Sequence, residues 1–175
     1  MQDERQYRQI IREHGSHIMA FICRSIPVRE DAEEIAEDVF VKAFSRLSTY
    51  DARRGSMRNW LLGIACHEVL MFMRRRRPLT ISLEPEARYQ GITDEEADRL
   101  LAETHEQRIA TLQNAIQMLK AEDQLLLQLY YTEQLPLKEI AGMAGHDHLY
   151  LATRLQRIRK KLCTMIKQAK RDEHE

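Results

Sequence analysis

Four consecutive arginines, Arg74 to Arg77, close the stretch GSMRNWLLGIACHEVLMFMRRRRP, and a second cationic run, TRLQRIRKKL, brings Arg154, Arg157, Lys160 and Lys161 together near the other end of the chain. Guanidinium and ammonium groups clustered in this way suit a polyanion, because each can neutralise a phosphate and release its counterion. The formal net charge of zero conceals this pattern. Seven Lys and Arg face nine Asp and Glu over residues 1–50, seven face two over 51–78, four face eleven over 79–133, and nine face five over 134–175. Two basic blocks flanking an acidic one predict contact with a polyanion at two separate places.

The residue types that carry covalent or metal chemistry are not arranged for it. The sequence contains no G-x-x-x-x-G-K-[ST], G-x-S-x-G or H-E-x-x-H pattern. His14 and His17 are three residues apart and His146 and His148 two apart, but neither pair has a third ligand at helical spacing, and Cys66 and His67 point to different faces of a helix. We therefore expect no metal, no cofactor and no catalytic activity. Cys23, Cys66 and Cys163 are an odd number, far apart and without a CxxC pair, as suits a reduced, cytosolic protein. The N-terminus MQDERQYRQI lacks the apolar core of a signal peptide, and no apolar run approaches the roughly 20 residues that span a bilayer. A cytoplasmic location without membrane insertion is expected.

The elements that position the cations read as helices throughout. Six Gly and four Pro among 175 residues, with no period-two alternation, predict an all-α chain. From about Glu4 to Ser25, the residues Tyr7, Ile10, Ile11, His14, Ile18, Phe21 and Ile22 recur at helical spacing and predict one buried face, closed by Pro27. A second helix opens near Asp31 with acidic residues in its first turn, turning Ile35, Val39, Ala43 and Leu47 inward with Phe40 and Phe44 beside them. STYDARRGS reads as a loop. Ser56 is the N-cap of a third helix that runs to the arginines and stops before Pro78.

Residues 78–92 carry two Pro, one Gly and no helical period, and read as a linker. Thr93 and Glu96 fit a capping box for a helix whose apolar positions are Leu100, Leu101, Ile109, Leu112, Ile116 and Leu119. Helices over about 122–132, 136–144 and 147–170 follow. Pro136 suits a first helical position, Ile140, Ala141 and Ala144 face inward, and Gly145 makes the tight turn of a helix-turn-helix. On the helix after the turn, Leu151, Leu155, Ile158 and Leu162 form the buried stripe. His148, Tyr150, Thr153, Gln156, Arg157 and Lys160 then lie outside, where they could enter a major groove or simply form a solvated basic face.

The two halves together resemble an extracytoplasmic-function (ECF) sigma factor of bacterial RNA polymerase, the compact type of the sigma-70 superfamily that carries only regions 2 and 4. DAEEIAEDVFVKAFSRLSTYD followed by GSMRNWLLGIACHEVLMFMRRRR is similar to the first of these, and LKEIAGMAG with TRLQRIRKKL to the second, over about Tyr7 to Ile166. The resemblance implies two small helical domains: region 2 over 1–78, an acidic linker over 79–106 and region 4 over 107–175. It also implies a function, binding core polymerase, directing it to specific promoters and helping to open the minus-ten region.

Residue roles follow from the same resemblance. Glu34, Glu37, Asp38, Phe40 and Lys42 would dock on the clamp helices of the largest polymerase subunit. Arg53, Arg54, Ser56 and Asn59 in the loop and first turn, His67 and Met71 further along, and Arg74, Arg75, Arg76 and Arg77 at the end would hold the minus-ten strand, with Trp60 as a packing anchor. His148, Tyr150, Thr153, Arg154, Gln156, Arg157, Lys160 and Lys161 would read the minus-thirty-five duplex. The flap of the second-largest subunit and an anti-sigma factor are further implied partners. This chain departs from the family where it has Cys66, His67 and Met71 in place of the frequent Arg-Asn and Asp, Leu119 and Lys120 in place of Leu-Pro, and Ala152 in place of a basic residue. From the residues alone, a stand-alone helix-turn-helix regulator remains the alternative, and an interaction protein with basic faces a weaker one.

Overall fold

The computed structural model describes residues 2–76 and 105–172, and every regular element among them is helical. The chain divides into two compact units, Met1–Leu79 and Thr80–Glu175. The linker residues 78–92, the capping box Thr93 and Glu96, Leu100, Leu101 and Arg77 lie outside the described residues.

The first unit packs α1 (Gln2–Ser25), α2 (Arg29–Ser45) and α3 (Met57–Arg76) against one another. Pro27 has no N–H to continue α1, and the helix closes on the Ile26 amide, which donates to the Ile22 carbonyl at 2.9 Å. α2 begins without a side-chain cap at Val28, but Glu30 and Asp31 in its first turn offset the positive end of the macrodipole. Ser56 caps α3 as its sequence position predicts, its Oγ accepting the Asn59 amide at 3.2 Å. The core is Ile18, Phe21 and Ile22 from α1, Ile35, Val39, Phe40 and Ala43 from α2, and Leu61, Leu62, Ala65 and Val69 from α3. Ile11 departs from its expected place, since it is exposed at the margin of the α1 stripe. Leu47 is half-buried in the short 3-10 turn Leu47–Thr49.

The second unit contains α4 (His105–Gln117), α5 (Ala121–Leu127) running into a π-helical turn (Gln128–Thr132), α6 (Leu137–Ala144) and α7 (His148–Asp172). Ala115, Leu119, Leu125, Leu126, Leu129, Leu135 and Ile140 bury against the α7 stripe of Leu151, Leu155, Ile158 and Leu162. On α4 the apolar face is only partly used: Ile109 and Leu112, expected to be buried, are exposed. Ala144 is exposed as well, so the buried residues of α6 are Ile140 and Ala141.

Two backbone devices shape the turn regions. Gln134 takes a positive φ of 55° after the π turn, so that the Leu135 amide reaches back to the Leu129 carbonyl at 3.1 Å and Pro136 can cap α6. Pro136 thus sits one residue before the helix, its carbonyl accepting the Glu139 and Ile140 amides. Gly145 has φ 67° and ψ 27°, the left-handed conformation of a helix C-terminus, and its amide and that of His146 both reach the Ala141 carbonyl. Asp147 then starts α7 by accepting the Leu149 amide at 2.7 Å.

A Cβ at residue 145 meets no neighbouring atom, so the cost of adding one is backbone strain alone. Gly145→Ala should destabilise the second unit by about 1–2 kcal/mol. Hydrogen exchange of the α6 and α7 amides checks this, and protection equal to that of the wild type would contradict it.

Candidate nucleic-acid interface

α3 is built with one face in the core and the other free. Leu61, Leu62, Ala65 and Val69 are buried, which leaves His67 and Met71, four residues apart, on the exposed side. Arg74 is seven residues after His67 and three after Met71, so it continues that face, and Arg75 borders it. Arg76 rotates away. It forms an ion pair with Asp31 of α2 at 2.9 Å and its guanidinium lies 4.7 Å from the Phe72 ring centroid. Arg74, Arg75 and Arg76 are all exposed, but Arg76 also clasps Asp31 of α2, and Arg77 is outside the described residues.

The loop before α3 is fixed by its own polar groups. Asp51 accepts from the backbone amide of Arg53 at 3.0 Å and from its guanidinium at 3.1 Å, and Arg53 holds the Asp51 carboxyl below the usual carboxylate range. This ordering is complete above the ordinary carboxylate range and is lost as pH falls through the lowered value. Arg53 and Arg54 are exposed, Asn59 is half-buried, and the Tyr50 hydroxyl donates to the Gly55 carbonyl at 3.2 Å. The Tyr50 and Trp60 rings are 5.6 Å apart and tilted, so Trp60 joins the loop to the helix as a packing anchor. Arg58 donates to His17 Nε2 at 3.1 Å and ties α3 to α1.

α2 presents Glu34, Glu37 and Asp38 to solvent. Phe40 is not on that surface, because it is buried in the core of the unit. Lys42 turns to α3, where its ammonium pairs with the buried carboxylate of Glu68. Beside the exposed acids lie two apolar side chains absent from the expected site, Val41, 62% exposed, and Phe44, whose ring packs edge-on against Tyr7 at 4.4 Å.

On α7, His148, Tyr150, Thr153, Gln156, Arg157 and Lys160 are exposed, and Lys161 is half-buried. Arg154 faces the other way: its Nε donates to the largely buried Asp123 of α5 at 2.7 Å. Burial disfavours the Arg154 charge, but the Asp123 hydrogen bond and attraction outweigh it and hold the guanidinium above its ordinary value. Its Nη1 also approaches the Tyr150 hydroxyl at 3.5 Å, while the His146 ring lies 5.2 Å from that of Tyr150. Arg159, missing from the expected set, donates to the Tyr131 hydroxyl of the π turn at 2.7 Å. No group of three or more His, Cys, Asp or Glu among the described residues could hold a metal ion, and no helix there is long and apolar enough to cross a membrane.

An all-helical chain with a helix-turn-helix in one unit and an exposed basic helix end in the other defines a nucleic-acid-binding class. Comparison narrows it. Residues 10–78 match the family model for sigma-70 region 2. The chain is 28% identical over 158 residues to the ECF RNA polymerase sigma factor RpoE of Cereibacter sphaeroides, covering 90% of this chain and 82% of that one. It is 26% identical over 167 residues to the RNA polymerase sigma factor YlaC of Bacillus subtilis, covering 94% of each. Among solved structures, CnrH in complex with the cytosolic domain of CnrY shares the fold with a TM-score of 0.63 at 22% identity, over 94% of this chain and 90% of that one. The sigma factor RpoE in complex with the anti-sigma factor NepR from Bartonella quintana does so with 0.62 at 19%, over 93% and 97%. Residues 10–78 thus carry a sigma-70 region 2, and over most of its length the chain is similar to RNA polymerase sigma factors.

The Asp31–Arg76 pair yields a direct test of how many arginines reach DNA. Asp31→Asn should release Arg76 and steepen the dependence of log K on log salt for promoter binding by about 0.7–0.9, the value for one more phosphate neutralised. The loss of stability should be only about 0–1 kcal/mol, because the pair is partly solvated. An unchanged slope would mean that releasing Arg76 from Asp31 adds no phosphate contact.

Proposed function

We propose that this alternative sigma factor divides promoter recognition between its two units. It directs RNA polymerase to promoters. On our reading, residues 1–78 form region 2 and hold core polymerase and the minus-ten strand. Residues 107–175 form region 4 and read the minus-thirty-five duplex, and the acidic residues 79–106 join them.

The observation that carries this division is the single exposed face of α3 on which His67 and Met71 lead to Arg74 and Arg75. Unpaired bases leave a duplex with their edges and faces free, and an imidazole can stack on or bond to a base while a thioether supplies an adaptable apolar surface. Phosphates that follow the bases would meet Arg74 and Arg75, and Arg53 and Arg54 would guard the loop side. On α7 the exposed Gln156, Arg157 and Lys160 supply an amide for a base edge and cations for the backbone.

The acids Glu34, Glu37 and Asp38 form the surface for the clamp helices of the largest subunit, with Val41 and Phe44 as its apolar part. Carboxylates there would steer the encounter and fix register, while the apolar pair supplies burial. The flap of the second-largest subunit is the expected contact of the second unit. Nucleotide addition belongs to the polymerase, and the chain acts in the cytoplasm. CnrH is in complex with the cytosolic domain of CnrY, and the Bartonella RpoE with the anti-sigma factor NepR, which supports an anti-sigma partner here too. A stand-alone regulator is not favoured, because relatives matching at least nine-tenths of the chain are sigma factors.

Purified chain added to core polymerase and a pool of genomic fragments should produce run-off transcripts from new start sites with no other sigma factor present. Transcripts that require a second sigma factor would establish the regulator instead. The double reversal Glu37→Lys with Asp38→Lys should slow association with core about tenfold or more at low salt and leave helical content unchanged. Full retention of binding would remove that face from the interface. His67→Asn should change the base preference recovered from a library randomised across the minus-ten element, whereas uniform loss of output with a lower melting temperature would assign His67 to packing.

A further inference from the structure

The outward face of α7 contains a residue that its solvated position does not explain. Leu149, the second residue of the helix, is 65% exposed, among the most exposed of the large apolar side chains described. It lies opposite the buried Leu151 and Leu155 stripe and one turn before Thr153, so it heads the same exposed row as Thr153, Gln156 and Lys160. Its backbone is fixed on both sides. Asp147 Oδ1 accepts its amide at 2.7 Å, and its carbonyl accepts the Thr153 hydroxyl at 3.0 Å.

That second bond changes what Thr153 can offer. A hydroxyl has one proton, and this one is committed to the helix, leaving Thr153 its methyl group and a lone pair. The row therefore begins with two side chains that present apolar surface and no donor, then passes to an amide at Gln156 and cations at Arg157 and Lys160. A duplex read in its major groove offers donors, acceptors, phosphates and one apolar group, the C5-methyl of thymine.

We infer that Leu149, with Thr153, is a specificity-determining contact that reads thymine methyl groups in the duplex bound by the second unit. The inference rests on the proposed role of α7 and adds the chemical identity of what its first two turns select. Charge complementarity supports duplex DNA as the occupant: the apolar pair continues directly into the basic end of the helix, so phosphates held by Arg157 and Lys160 would bring base edges against Leu149. Isolated exposed leucines are ordinary on protein surfaces. This one stands where every neighbour on its row is suited to a groove.

Removing the methyl from DNA provides the test. Holoenzyme assembled from core polymerase and the full chain is used to select minus-thirty-five sequences from a randomised library. Each thymine of the selected element, on either strand, is then replaced by deoxyuridine, which keeps every hydrogen-bonding group. For the wild type, at least one replacement should weaken promoter binding about three- to fivefold, the worth of burying one methyl group. Leu149→Ala should bind thymine and deoxyuridine promoters equally at that position, with the affinity of the wild type on deoxyuridine. Because Leu149 is exposed, this variant should keep its helical content and its binding to core polymerase. A wild type indifferent to every replacement, a selected element with no thymine on either strand, or a Leu149→Ala variant that still discriminates would each overturn the inference. A wild-type holoenzyme that fails to distinguish the selected element from a scrambled one would overturn the proposed role of α7, and this inference with it.

Discussion

The burial of α3 between α1 and α2 is the constraint on which the rest of the first unit depends. Leu61, Leu62, Ala65 and Val69 are buried together with Phe21, Ile22 and Val39, and each of the larger side chains contributes about 1.5–3 kcal/mol when removed from water. A helix turns 100° per residue, so once those four are inside, the outward direction of His67, Met71 and Arg74 is no longer free. The surface proposed to meet DNA is thus set by residues that lie inside the unit. Burial alone leaves rotation and sliding weakly determined, and here the polar cross-links act. Lys42 with Glu68 and Arg76 with Asp31 join α2 to α3 near both ends of their contact. Each pair keeps a partly solvated cation, so it contributes only about 0–1 kcal/mol and biases the register of α2 and α3 rather than fixing it.

In the second unit the same division of labour operates with a tighter turn. The α7 stripe is buried, and the angle at which α6 delivers the chain to α7 depends on a backbone conformation that a residue without Cβ adopts readily, supplied by Gly145. The Asp123–Arg154 pair replaces the cross-links of the first unit, joining α5 to the helix after the turn. Because Arg154 also approaches Tyr150, the exposed first turns of α7 are connected through one guanidinium to a carboxylate in the core.

What was legible in the sequence follows from the range of the forces involved. Local rules identified the all-helical class, the Ser56 cap, the Gly145 turn and the α7 stripe, because caps, turns and helical period act over a few residues. Tertiary pairing was not legible. Lys42 and Arg76 read as surface cations, and nothing within four residues of either reveals a partner 26 or 45 positions away. Phe40 read as an interface residue because its motif resembles one, whereas its helical position places it in the core. Ile11, Ala144, Ile109 and Leu112 were assigned to buried faces by period alone. Period marks the centre of a stripe better than its margins, where packing partners decide.

The acidic block between the two basic ones bears on how a chain with two small binding surfaces achieves selectivity. Neither unit is large, and an interface built from one helix face and a few cations binds weakly at physiological salt. Joining the two converts the second contact into an intramolecular one whose effective concentration is set by the length of the connection. Both contacts then need only modest affinity, and a promoter with one correct element is rejected because the second contact contributes nothing. On the proposed division, the net negative charge of residues 79–106 would add to this by disfavouring their contact with phosphate. Polyanion binding is then left to the two basic blocks, residues 51–78 and 134–175, where side chains such as His67 and Gln156 would distinguish one base from another.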